Sequence, residues 1–71
     1  MKRAEAVALL KELSAEHLIQ PSLVLIEKRK PDSYQLCVKG DFDREGIEDF
    51  LQKNALVFEE DSRKGFCIFE P

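Results

Sequence analysis

Four sets of residues in this chain carry side chains whose types and spacing could do chemistry. The first lies in "KGDFDREGIEDFLQKN", where Asp41, Asp43, Glu45 and Gly46 stand at positions 1, 3, 5 and 6 of a calcium-binding EF-hand loop. Such a loop closes with a bidentate Glu at position 12 and turns an apolar side chain inward at position 8; here those places hold Gln52 and Glu48. An entering helix is also required, and the preceding "SYQLCVKG" alternates like a strand. The same residues make a good helix start. Asp43 can accept a bond from an amide two or three residues on, and Phe42 and Ile47 occupy the hydrophobic-staple positions. Glu45 and Glu48 lie where the helix dipole favours negative charge, and Asn54 is a left-handed stop. The expectation is therefore a cap and no metal site.

The second set is Cys37 and Cys67. They can become neighbours across two strands, but metal ligation needs three or four ligands, and the only histidine, His17, belongs to a helix elsewhere. Neither a CxxC motif nor a helix N-terminus is present to lower a thiol pKa, so both are read as small packing residues. His17, the third candidate, sits near a helix end with Ser14 one turn back, where a cation is favoured by the dipole. Its reading is structural. No glycine-rich phosphate loop, paired carboxylates or activated nucleophile stands out, so neither an enzyme nor a cofactor is expected. The fourth set is the basic run Lys28, Arg29 and Lys30, with Tyr34 and Phe69 as stacking candidates beside it. It supports an alternative reading as a weak nucleic-acid-binding module. The net charge of −3 and the absence of an aromatic RNP pattern weigh against that reading, which leaves a solvated tip that keeps an edge strand soluble.

These residues must be positioned by a chain of only 71 residues, read as one domain. A domain of this size buries about 60% of its unfolded surface, so its core is marginal without reinforcement. Two cysteines are too few for a secreted disulfide framework. The N-terminal stretch is interrupted by Glu5, Lys11 and Glu12, and no apolar run approaches a bilayer span. A soluble cytoplasmic protein with reduced thiols is expected, and self-association becomes the expected reinforcement.

Ala6, Leu9, Leu10, Leu13 and His17 recur at helical spacing, predicting a helix from Arg3 to about Ile19, ended by Pro21. It lacks an N-cap and carries Lys2 and Arg3 at its positive end, so fraying is expected there. "SLVLIEKRK" (22–30) and "SYQLCVKG" (33–40) predict a hairpin around Pro31-Asp32. After the second helix, "ALVFEE" (55–60) and "FCIFE" (66–70) predict another, closed by Gly65. The two halves, 3–40 and 43–70, match loosely, with Cys37 and Cys67 equivalent; an internal repeat and chance similarity of two amphipathic hairpins both account for this.

The resulting order α-β-β-α-β-β resembles a circular permutation of the ferredoxin-like sandwich. Two hairpins and two amphipathic helices that must bury one face each predict an α+β fold, a four-stranded antiparallel sheet with both helices on one face. The resemblance implies the strand order 1-2-4-3. It implies nothing about function. The alternation then turns Val24, Ile26, Tyr34, Leu36, Val38, Leu56, Phe58, Phe66 and Ile68 toward the helices, with strands 1 and 3 able to swap faces on a one-residue register change. The opposite face carries Leu23 and the seven interface candidates Leu25, Gln35, Cys37, Lys39, Val57, Cys67 and Phe69. An open sheet face this apolar at its centre marks a partner site. The expected function is a non-enzymatic interaction module that self-associates or binds a protein partner through these seven residues, without membrane or metal.

Overall fold

The computed structural model describes residues Met1–Pro71. Helix α1 (Arg3–Ala15) leads through a single 3₁₀ turn (Pro21–Leu23) into strands β1 (Val24–Lys30) and β2 (Ser33–Val38); helix α2 (Arg44–Lys53), β3 (Val57–Asp61) and β4 (Gly65–Phe69) follow. The strands form one antiparallel sheet in the order β1-β2-β4-β3, the order that the ferredoxin-like resemblance implied. Both hairpins therefore lie side by side, joined only where β2 meets β4.

One face of this sheet holds the core. Leu36, Val38, Phe66 and Ile68 are buried there against Ala6, Leu9 and Leu13 of α1 and Ile47, Phe50 and Leu51 of α2, with Val24, Ile26, Tyr34, Leu56 and Phe58 packed around them. All nine residues expected to face the helices pack in this core, eight from the strands and Leu56 from just before β3. Phe66 is flanked by two rings, stacked on Phe58 with centroids 4.4 Å apart and tilted against Phe42 at 5.1 Å. Phe42 precedes the N-cap of α2, so its burial fixes the approach of the chain to that helix. Asp43 is the cap: its Oδ1 accepts a hydrogen bond from the Gly46 amide at 3.0 Å. A Cβ at Gly46 would stand 2.6 Å from the Asp43 carboxylate and 2.7 Å from Leu18, which explains a glycine in the first turn of a helix.

The helix termini differ from the sequence expectation. Helix α1 stops at Ala15, four residues short of Ile19, because His17 turns left-handed (φ 58°). The Leu18 amide then donates to the Leu13 carbonyl and the His17 amide to that of Ser14, the paired bonds of a Schellman motif. His17 consequently points to solvent and leaves the buried stripe, while Leu18 folds back toward the core. Helix α2 ends the same way. Ala55, not Asn54, takes the left-handed conformation (φ 54°), and the Leu56 amide donates to the Leu51 carbonyl. Asn54 closes the helix by donating its side-chain amide to the Phe50 carbonyl at 2.8 Å.

Against the expectation of fraying, the start of α1 is tied down by contacts. The Lys2 amide donates to Glu5, the Met1 ammonium contacts Ser33 Oγ and Glu70, and the Tyr34 amide donates to the Met1 carbonyl at 2.7 Å. Tertiary contacts supply what the missing cap does not. At the other end of the fold, Gly65 adopts φ 91° as the β3–β4 turn requires, and a Cβ there would lie 2.5 Å from the Val38 carbonyl oxygen.

Candidate functional site: the open face of the sheet

The strand register determines what lies opposite the helices. Leu25, Cys37, Cys67 and Glu59 form one row across β1, β2, β4 and β3. Glu27, Gln35, Phe69 and Val57 form the neighbouring row, and Lys39 follows directly after β2, its amide donating to the Leu23 carbonyl. The seven residues named from the alternation pattern are all on this face. They are not presented alike.

The centre of the face is closed. Cys37 and Cys67 retain only 2% and 3% exposure, and Gln35 only 3%. Long charged side chains from the edges arch over them. The Arg29 guanidinium lies 3.6 Å from the centre of the Phe69 ring, donates to Gln35 Oε1 at 3.2 Å and pairs with Glu59 at 2.9 Å. Gln35 in turn donates to Glu27 at 2.9 Å, and Lys64 from the β3–β4 turn reaches the same carboxylate at 3.1 Å. Both ends of the buried Gln35 amide are thus satisfied, as a polar group under such a roof requires. The expectation of an exposed apolar centre built from Cys37, Cys67 and Phe69 is corrected: those side chains are covered by the protein's own cations and acids. What remains apolar and exposed lies at the margins, with Leu23 (38%) and Leu25 (56%) on the β1 side and Val57 (36%) on β3.

The electrostatics follow from this roof. Hydrogen bonding from the Lys64 ammonium, with a further bond from Gln35, holds the Glu27 carboxyl below the usual glutamate range against the opposing effect of burial. The Asp61 carboxyl is lowered by the Lys64 and Arg63 backbone amides, which donate to its Oδ1 at 3.0 and 2.7 Å. Those two bonds form an Asx-type turn that carries Lys64 to its place over the sheet.

Cys37 and Cys67 are directly opposed on the two central strands, with Cα atoms 4.0 Å apart and their sulfurs joined in a disulfide. The expectation of two free, reduced thiols is overturned here. A period-two pattern could place them on one face. Only the pairing of β2 with β4 brings them directly opposite each other. The Cys37 sulfur lies 3.6 Å from Glu27 Oε1; as a disulfide sulfur it carries no proton to donate. Cys67, by contrast, lines a groove of about 330 Å³ whose walls include Lys28, Arg29, Lys30, Lys64, Glu59 and Asp61.

The basic tip is also changed by the fold. Arg29 is committed to Phe69, Gln35 and Glu59, whereas Lys28 and Lys30 remain exposed. Tyr34 faces the helices and Phe69 lies beneath Arg29, so neither ring offers an open stacking surface. The acids of "DFDREG" serve the helix start through Asp43. No helix is long and apolar enough to cross a membrane. No protein-family model, curated protein or solved structure matches the chain.

Proposed function

We propose that this protein is a small non-enzymatic interaction module that associates with a second copy of itself, or with a protein partner, through the β1 margin of the open sheet face. The observation that carries the reading is the pair Leu23 and Leu25. Leu23 closes the 3₁₀ turn that leads into β1, Leu25 lies on that edge strand two residues later, and they are 38% and 56% exposed. The core has no room for them, since Val24 and Ile26 already turn toward the helices. Covering what remains exposed of each leucine is worth on the order of 1 kcal/mol, and the outer backbone groups of β1 offer hydrogen bonds to an added strand. The charges at the far end of the strand, Lys28 to Lys30, confine such pairing to its apolar half.

Sedimentation velocity over a concentration series tests the self-association form. Leu25→Glu is expected to weaken association while leaving the melting temperature unchanged, because the side chain contributes little to the core. A wild-type protein that stays monomeric at the highest attainable concentration removes the self-association form. A screen for bound proteins in which the wild type and Leu25→Glu behave identically removes the rest.

A further inference from the structure

We propose that Cys37 and Cys67 form an exchangeable disulfide, opened in the folded protein by low-molecular-weight anionic thiols that enter the groove beside Cys67. The two sulfurs differ in surroundings. Cys67 forms part of the groove wall and Cys37 does not; at 3% exposure the Cys67 sulfur is reached only when the exposed Lys64 or Arg29 side chain swings aside. Around that opening Arg29 is paired with Glu59 and Lys64 with Glu27, which leaves Lys28 and Lys30 against Asp61, so the approach carries a net positive charge that favours an anion. Cys37 lies on the other side of the bond, where its sulfur is 3.6 Å from Glu27 Oε1. A carboxylate there repels an incoming thiolate but accepts a bond from a protonated thiol.

The reaction is ordinary thiol–disulfide exchange. The incoming thiolate attacks Cys67 Sγ, the Cys37–Cys67 bond breaks, and its electron pair leaves on Cys37 Sγ. That sulfur takes a proton from water and donates it in a hydrogen bond to Glu27. A second small thiolate attacks the mixed disulfide at the small-molecule sulfur, forming the oxidised small disulfide and releasing Cys67 as a thiolate near Lys64. Two small thiols are oxidised and the protein disulfide is reduced by two electrons.

The consequence lies at the seam between the halves. β2 and β4 share three register pairs, and the cysteines are the middle one. Opening the bond removes the one covalent tie between the α1-β1-β2 half and the α2-β3-β4 half other than the chain itself. The protein then has a tight and a loosened form, selected by the thiol poise of its surroundings.

The test uses the oxidised full-length chain without denaturant, with glutathione and the cationic aminothiol cysteamine as probes. Samples are quenched in acid, alkylated and mapped by mass spectrometry. Glutathione is expected to reduce the native bond through an adduct on Cys67. Its rate relative to cysteamine should be about tenfold higher on the folded chain than on the urea-unfolded chain. Lys64→Glu, an exposed turn substitution checked by circular dichroism, should lower the glutathione rate severalfold and spare the cysteamine rate. An adduct on Cys37, equal probe ratios for folded and unfolded chains, or reduction that only tracks the unfolded fraction as urea rises would each overturn the proposal.

Discussion

Reductive opening of Cys37–Cys67 should cost this small fold a large part of its stability. The bond closes a loop between residues 30 apart in sequence. In the chain-entropy account, releasing a loop of that length returns about 12 cal/mol/K to the unfolded ensemble, or roughly 3.6 kcal/mol at 25 °C. Domains of 71 residues have total stabilities on the order of 3.5–11 kcal/mol, so the reduced form sits near the margin. At about 4–8 °C per kcal/mol, the melting temperature should fall by roughly 15–30 °C. Calorimetric or far-UV melts of oxidised protein, and of protein reduced with a phosphine and verified by alkylation, measure the difference directly. Urea titrations separate the cause. A cross-linked denatured chain is more compact, so the oxidised form should show the smaller m-value. Melts that agree within about 3 °C would refute the loop-entropy reasoning. A large melting difference with equal m-values would move the effect out of the denatured chain and into native packing, also against it.

Two further outcomes test the local physics. Ala55 holds a left-handed conformation at an exposed position (φ 54°), where an L-residue is disfavoured and glycine is not. Ala55→Gly should therefore stabilise the protein by about 0.5–1 kcal/mol in chemical denaturation, the strain relieved exceeding the added freedom of the unfolded chain. Glu27, with its folded pKa depressed chiefly by Lys64, contributes stability that is fully present above the ordinary glutamate value and is lost as pH falls through the lower folded value. Glu27→Gln should thus reduce stability at neutral pH and flatten the acid limb of the stability profile. The two proteins should converge well below the ordinary glutamate range; parallel profiles from pH 7 down to that range would contradict the assignment.

Much of the architecture was legible because period-two alternation survives into the sheet. Tyr34, Leu36 and Val38 on β2 and Phe66 and Ile68 on β4 read directly as the core-facing side, and Asp43 with Phe42 read as a helix start. The helix ends were harder. His17 and Ala55 take left-handed conformations without being glycine or asparagine, so composition carries no mark of them; the carbonyls of Leu13 and Leu51, satisfied by Leu18 and Leu56, decide where the helices stop. The candidate site was legible as a face and not as a surface. Leu25, Gln35, Cys37, Lys39, Val57, Cys67 and Phe69 do share one side of the sheet, but Arg29 and Lys64 reach across it from positions whose sequence distance says nothing about their destination.

By itself the amino-acid sequence determined the element order, the two-sided strands and the membership of the core, since these follow from local periodicity, turn chemistry and the need to bury one face. The register between β2 and β4 belonged to the tertiary structure. No loop joins those strands directly, so only the packing of two complete α-β-β halves sets Cys37 opposite Cys67 at 4.0 Å. The same packing converts an apolar sheet centre into a bonded pair beneath a roof of paired charges. The open apolar surface is left to Leu23 and Leu25 at one margin and Val57 at the other, because the ion pairs that cover the face, Arg29 with Glu59 and Lys64 with Glu27, close over its centre.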